Sequence, residues 1–117
     1  MDYLGIDSLL LYAKDQWGNV YHDTKISHRH KNVPYDLFGQ VSRGLKEKGI
    51  ETITYFTVCW DEGAARDHPE WRVVSRTGGP VLDGGDDPVA AKWAFLCVNT
   101  PYREYVLDQI RELVENY

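Results

Sequence analysis

An α/β fold with parallel strands is what the sequence predicts, and three observations predict it. Two short apolar runs alternate with two amphipathic segments in the order strand, helix, strand, helix, which is the order that builds a parallel sheet. Both apolar runs read as buried strands, and continuous burial is usual where helices cover both faces of a parallel sheet. The connections are also unequal. From helix to strand the chain needs only Gly49, whereas from strand to helix it spends residues 14–33 the first time and about 60–100 the second.

The first run, "GIDSLLLYA" (5–13), is a short apolar stretch bounded by polar residues, the pattern of a strand buried on both faces. A helix is predicted over about 34–48. Leu37, Phe38, Val41 and Leu45 recur at helical spacing, Pro34 suits the first turn and Gly49 the end. "IETITYFTVCW" (50–60) is rich in β-branched and aromatic residues and reads as the second strand. The last helix is predicted over 101–117, with Thr100 as cap and Pro101 at the first position. Its apolar stripe is Val106, Ile110, Leu113, Val114 and Tyr117.

The chain of 117 residues is sized for one domain with one core, and its 43% hydrophobic and 26% charged residues are ordinary for a globular protein. A net charge of -5 with scattered Lys and Arg argues against a nucleic-acid or anionic-membrane surface. No run approaches the roughly 18 apolar residues of a membrane span, and the start does not read as a signal peptide. Cys59 and Cys97 fit neither a disulfide framework nor a zinc motif. Two buried thiols are expected, with a bridge left open.

Function is expected in the two long connections. Long connections are uncommon in compact domains and tend to be functional, and both leave the carboxyl end of a strand, where ligands of parallel α/β folds bind. They hold all four tryptophans, Trp17, Trp60, Trp71 and Trp93. A sugar ring has an apolar C–H face and a rim of hydroxyls, so its sites pair flat aromatic rings with convergent polar groups. The two connections supply that mixture in Lys14, Asp15, Gln16, Trp17, His28 and His30, then Trp60, Asp61, Glu62, His68, Glu70 and Trp71. A satellite core under long loops is the structural reading of the same tryptophans.

"YHDTKISHRH" (21–30) also admits a metal reading through His22, His28, His30 and Asp23, but the spacing lacks the fixed helical offset of zinc sites. Asp61 and Glu62 stand just past the second strand, yet neighbours on an extended chain point to opposite sides and cannot flank one bond. "DGGDDP" (83–88) lacks the alternating ligands of an EF-hand and reads as a solvated turn. No phosphate-cradling glycine motif and no Gly-x-Ser-x-Gly elbow follows either strand, so no cofactor is expected.

Four motifs, in this order, carry a resemblance. "GIDSLLLYAKDQWGNVYHDTK" has a strand, an Ala-Lys-x-x-x-Gly turn and a Tyr-x-x-Thr-Lys segment. "HKNVPYDLFGQV" has His30 six residues before Asp36 at a helix start. "DHPEW" has His-Pro-x-Trp, and "CVNTPYREYVLDQIRELVENY" has a Cys-x-Asn-x-x-Tyr helix entry. The chain resembles, over nearly all its length, the glycoside hydrolase barrels provisionally called hypothetical glycosyl hydrolase 6, relatives of the family 29 α-L-fucosidases. Where the fucosidase relatives carry a histidine pair, this chain has Asp15 and Gln16.

The resemblance implies that residues 1–117 are part of a (β/α)8 TIM barrel, about two βα units with long βα loops. It places the catalytic carboxylates beyond Tyr117, since in these families the helix resembling 101–117 leads into a strand ending in the aspartate nucleophile. Two parallel strands alone leave unpaired edges and a half-covered core, which is seldom stable. The implied parent is a retaining glycoside hydrolase, with this segment as substrate-binding wall. His28 and His30 are expected to donate to sugar hydroxyls, Trp60 and Trp71 to offer stacking surface, and Lys14 and Asp61 to fix orientation. The chain alone is expected to be inactive. A carbohydrate is thus the expected partner, with no nucleic acid and no membrane. Two other classes compete: a non-catalytic carbohydrate-binding module, and a metal-dependent hydrolase using His22, His28 and His30.

Overall fold

The computed structural model describes residues 4–76, 78 and 94–117. It is a mixed α/β arrangement: a four-stranded sheet with three α-helices. In chain order these are β1 (Ser8–Lys14), β2 (Asn19–Val20), β3 (His28–Arg29), α1 (Leu37–Glu47), β4 (Glu51–Phe56), α2 (Glu62–Asp67) and α3 (Tyr102–Asn116), with a 3-10 turn at Pro69–Trp71. The sheet order is β3-β2-β1-β4. The two strands expected from sequence, β1 and β4, pair in parallel, Leu10 opposite Ile53 and Tyr12 opposite Tyr55. Trp93 and "DGGDDP" (83–88) lie outside the described residues.

Several expected boundaries move, each for a local reason. The first strand runs 8–14 rather than 5–13, because Gly5 turns at φ 65 before it. The second ends at Phe56, not 60, so Trp60 joins the structure only through an isolated bridge to Phe95. The helix predicted from Pro34 starts at Leu37, where the Asp36 carboxylate accepts the Gly39 N–H at 2.8 Å. A carboxylate at the N-cap satisfies a donor that a proline in the first turn cannot. Gly49 ends the helix as expected, at φ 70, a region where a side chain costs energy.

The last helix runs 102–116. Pro101 stands at the N-cap rather than at the first helical position, and the hydroxyl of the preceding Thr100 accepts the Tyr102 N–H at 3.2 Å. The stripe the helix buries is the expected one only at Val106 and Leu113. Tyr102, Val106, Gln109 and Leu113 are buried, while Ile110, Val114 and Tyr117 stay exposed. The strands are likewise covered on one face only. Leu11, Ala13 and Phe56 pack with Phe38 of α1 and Leu113 of α3. Leu10, Tyr12, Ile53 and Tyr55 remain exposed on the other face, with the Tyr12 and Tyr55 rings 4.4 Å apart. The two cysteines depart from expectation as well. Cys59 is exposed and Cys97 half-buried, and both are free.

Neither long connection is an unstructured loop over its described residues. The first folds back along the sheet as β2 and β3, β2 antiparallel to β1. The second forms α2 and the 3-10 turn, and α2 buries Ala64 and Ala65 against Leu96, Tyr102 and Val106. No helix among the described residues is long and apolar enough to cross a membrane.

Candidate functional site

The site region is the end of the sheet where β1 and β4 stop. Along β1, strict alternation would leave Lys14 on the open face with Leu10 and Tyr12. The pairing register slips by one residue between Tyr12 and Lys14, so Lys14 stands opposite Phe56 and shares its covered face. There Lys14 is fully buried. Its Nζ lies 2.6 Å from Asp61 Oδ2 and donates to Gln109 Oε1 at 3.1 Å and to the Tyr102 hydroxyl at 3.3 Å. It also sits 5.1 Å from the centre of the Phe56 ring, within range of a cation–π contact. Every donor of the ammonium thus has a partner, the condition under which a buried charge is tolerated.

Asp61 has two tasks. One carboxylate oxygen meets Lys14, and the other accepts the Ala64 N–H at 2.8 Å, capping α2. The backbone of Gly18 presses on it so closely that a Cβ there would fall 2.0 Å from Asp61 Oδ1. Burial holds the Lys14 ammonium below its usual range, opposed by the Asp61 charge. Burial and then the same carboxylate push the Tyr102 phenol well above its usual range. That hydroxyl donates to the Val58 carbonyl, tying α3 to the end of β4.

Asp15 is a turn organiser. Its Oδ1 accepts the N–H groups of Trp17 and Asn19 at 3.0 and 2.9 Å, and its Oδ2 accepts the Tyr21 hydroxyl at 2.9 Å. Burial and this carboxylate push the Tyr21 phenol up to about 12. The Tyr21 ring in turn stacks on His30 with centroids 5.4 Å apart. Asn32 donates its N–H to His30 Nδ1 at 3.2 Å.

His28 Nε2 meets Asp67 Oδ2 at 2.7 Å, joining the first connection to the end of α2. The ring lies against Gly63, where a Cβ would come within 2.7 Å of His28 Cδ2. The two connections touch again where Gly63 donates its N–H to the Trp17 carbonyl at 3.1 Å. Trp60 packs on Phe95 and Trp71 on His68, the last pair nearly parallel at 3.7 Å and 11°. Trp71 also meets Tyr102 and Tyr105, so it contributes to the small core of α2 and α3 as well as to the rim. His68 Nδ1 lies 3.0 Å from Glu70. Glu70's own backbone N–H, and then His68, hold that carboxyl below its usual range.

The structure thus brings together Lys14 with Asp61, in the interior, and His28 with α2, at the surface. His22, singled out as a third imidazole, is buried between the Phe38 and Tyr117 rings, its Nδ1 2.9 Å from the Asp23 carbonyl oxygen. Among the described residues no group of three or more His, Cys, Asp or Glu could hold a metal ion. Sequence reasoning missed Tyr102, Gln109, Ser27 and Asp67. Gln109 left a signal, since it interrupts the buried helical row Val106, Gln109, Leu113, and a polar residue in such a row needs a partner. Tyr102 closes the Cys-x-Asn-x-x-Tyr motif, which gave it no role.

The comparisons agree with this architecture. The chain matches the family described as hypothetical glycosyl hydrolase 6 over residues 1–117. Among solved structures it is similar to α-L-fucosidase isoenzyme 2 from Paenibacillus thiaminolyticus, at 26% identity and a TM-score of 0.84. That match covers 97% of this chain and 17% of the fucosidase. It also shares its fold with a hypothetical protein from Ruminiclostridium thermocellum, at 18% identity and a TM-score of 0.72, over 97% of this chain and 59% of that one. No curated protein matches the sequence. The chain spans less than two thirds of either solved relative. With the whole of its length matched, the chain belongs to the hypothetical glycosyl hydrolase 6 family.

Proposed function

We propose that this chain supplies part of the substrate-binding wall of a retaining glycoside hydrolase acting on O-glycosyl bonds, α-L-fucosides or related terminal sugars. In this reading it forms about two βα units of a (β/α)8 barrel, and the catalytic carboxylates stand on other units. The observation that carries the reading is the contact between the two long connections. Both leave the carboxyl ends of adjacent parallel strands, and they meet through His28 and Asp67. Ligands of parallel α/β folds bind at that end.

His28 and His30 then face sugar hydroxyls, and Trp60 and Trp71 offer ring surface to C–H faces. Lys14 and Asp61 fix the orientation of this wall from beneath it, since both are fully buried. The family membership and the fucosidase of similar structure support a carbohydrate substrate. The exposed face of Leu10, Tyr12, Ile53 and Tyr55 supports a larger barrel, whose interior such a face would line.

The test is an assay with nitrophenyl glycosides, α-L-fucoside included, on the 117-residue chain and on a longer polypeptide carrying it. The reading expects turnover by the longer protein and none by the chain alone. Sugar binding without turnover by the longer protein would favour a non-catalytic binding module instead.

A further inference from the structure

A closed ring of contacts runs beneath the rim. Lys14 Nζ meets Asp61 at 2.6 Å, and Asp61 caps α2 through the Ala64 N–H at 2.8 Å. At its other end α2 carries Asp67, which meets His28 Nε2 at 2.7 Å. Next to His28, Ser27 Oγ accepts from Gln109 Nε2 at 2.7 Å, and Gln109 Oε1 accepts from Lys14 Nζ at 3.1 Å. The ring returns to the same ammonium. Each member has a specific partner, and the interior ones, Lys14, Asp61 and Gln109, are fully buried.

We infer that Lys14 is a positioning residue that sets where His28 stands against Asp67, and so fixes the distance between the two long connections. Nothing in the backbone of β3 alone defines the place of His28 relative to α2, because among the described residues β3 pairs only with the two-residue β2 at the sheet edge. The Lys14 ring below and the contacts of Gly63 above bridge the two, together with Tyr105, which packs on the core of α2 and donates to the Ile26 carbonyl at 3.3 Å. A single Nζ holds both branches, one through Asp61 to α2 and one through Gln109 to Ser27. Low-dielectric burial strengthens each bond it makes. Its consequence for sugar binding rests on the function proposed above. The coupling itself is read without any sugar, so the two can fail separately.

The experiment is side-chain NMR of the histidines in the full chain. In the unsubstituted chain His28 is expected to show an Nε2–H resonance held by its bond to Asp67, and Asp67→Ala provides the reference for its loss. His22, buried between Phe38 and Tyr117 and outside the ring, is the internal control. Three variants are compared: Lys14→Met, Lys14→Met with Asp61→Asn, and Ser27→Ala. The double variant removes the unpaired carboxylate and keeps a capping side chain, since asparagine caps as well as aspartate. Ser27→Ala removes the last link without disturbing any buried charge.

The inference expects the His28 resonance to be lost or moved toward the Asp67→Ala position in every variant that folds, with His22 unmoved. It also expects the double variant to regain stability over Lys14→Met without regaining the His28 signal. A His28 resonance unchanged in Ser27→Ala and in the folded double variant would overturn the inference. So would a shift of His28 and His22 together, the mark of general loosening.

Discussion

Lys14 and Asp61 meet at 2.6 Å with both side chains fully buried, joining the end of β1 to the start of α2. The contact bridges 47 positions of sequence between the two long connections, counting from residue 14 to residue 61. Two further groups, Tyr102 and Gln109 of α3, share the same ammonium, so three elements are joined at one point.

Removing one partner leaves the other charge buried and unpaired. Lys14→Met is therefore expected to destabilise the chain by about 3–5 kcal/mol, whereas a paired replacement of both residues by apolar ones costs far less. Asp61→Ala loses the ion pair and also the cap of α2, worth about 1 kcal/mol by itself. Urea denaturation of the three variants checks the ranking. Equal losses in the single and paired variants would contradict it.

Gly18→Ala is expected to cost more than about 2 kcal/mol, because two penalties add. Its φ of +85 is unfavourable for a side chain, and the new Cβ would sit 2.0 Å from Asp61 Oδ1, a buried atom that cannot move aside. The same denaturation midpoints report it.

Gly63→Ala separates stability from geometry. Alanine favours the helix by about 1 kcal/mol, but its Cβ would lie 2.7 Å from His28 Cδ2. The His28 side chain is 35% exposed and has room to swing outward. Stability is expected to change by less than about 1 kcal/mol while the His28–Asp67 contact is lost and ligand binding weakens. Thermal unfolding with histidine NMR separates these effects; an intact contact in the variant would contradict the geometry.

The tyrosines set the alkaline limit. Tyr21, Tyr105 and Tyr117 are pushed up to about 12 and Tyr102 higher, so between pH 10 and about 12 the folded chain holds more phenolic protons than the unfolded one. Stability present below pH 10 is then lost as pH rises. For the fully buried Tyr102 the slope is about 1.4 kcal/mol per pH unit. Lys14, held low, acts oppositely: the folded chain releases that proton first, so its contribution rises with pH up to its ordinary value of 10.5. Denaturation midpoints should therefore fall steeply only above pH 10. A flat profile to about 12 would contradict the burial of these phenols.

Periodicity and punctuation made the frame legible. The strand–helix–strand–helix order, Gly49 at the end of α1, Thr100 before α3 and the parallel pairing of β1 with β4 all follow from residue patterns. The open face of the sheet was not legible, because Leu10, Tyr12, Ile53 and Tyr55 look like core residues whether or not anything covers them. Pro34 misled at the start of α1, where Asp36 supplies the stronger signal.

In the site, the depth of Lys14 depends on a one-residue slip of register after Tyr12, which strand alternation cannot reveal. The Gln109–Ser27 and His28–Asp67 contacts join residues 82 and 39 positions apart, a separation at which local patterns carry no information.

A carbohydrate wall shared by the two connections is tested by an NMR titration of the chain with simple sugars, L-fucose among them. The indole N–H groups of Trp60 and Trp71 and the imidazoles of His28 and His30 are followed together. A shared carbohydrate wall predicts saturable shifts in both connections with one common affinity. No shift at high sugar concentration, or shifts confined to the groove of Phe38, Ile110 and Val114 between α1 and α3, would contradict it.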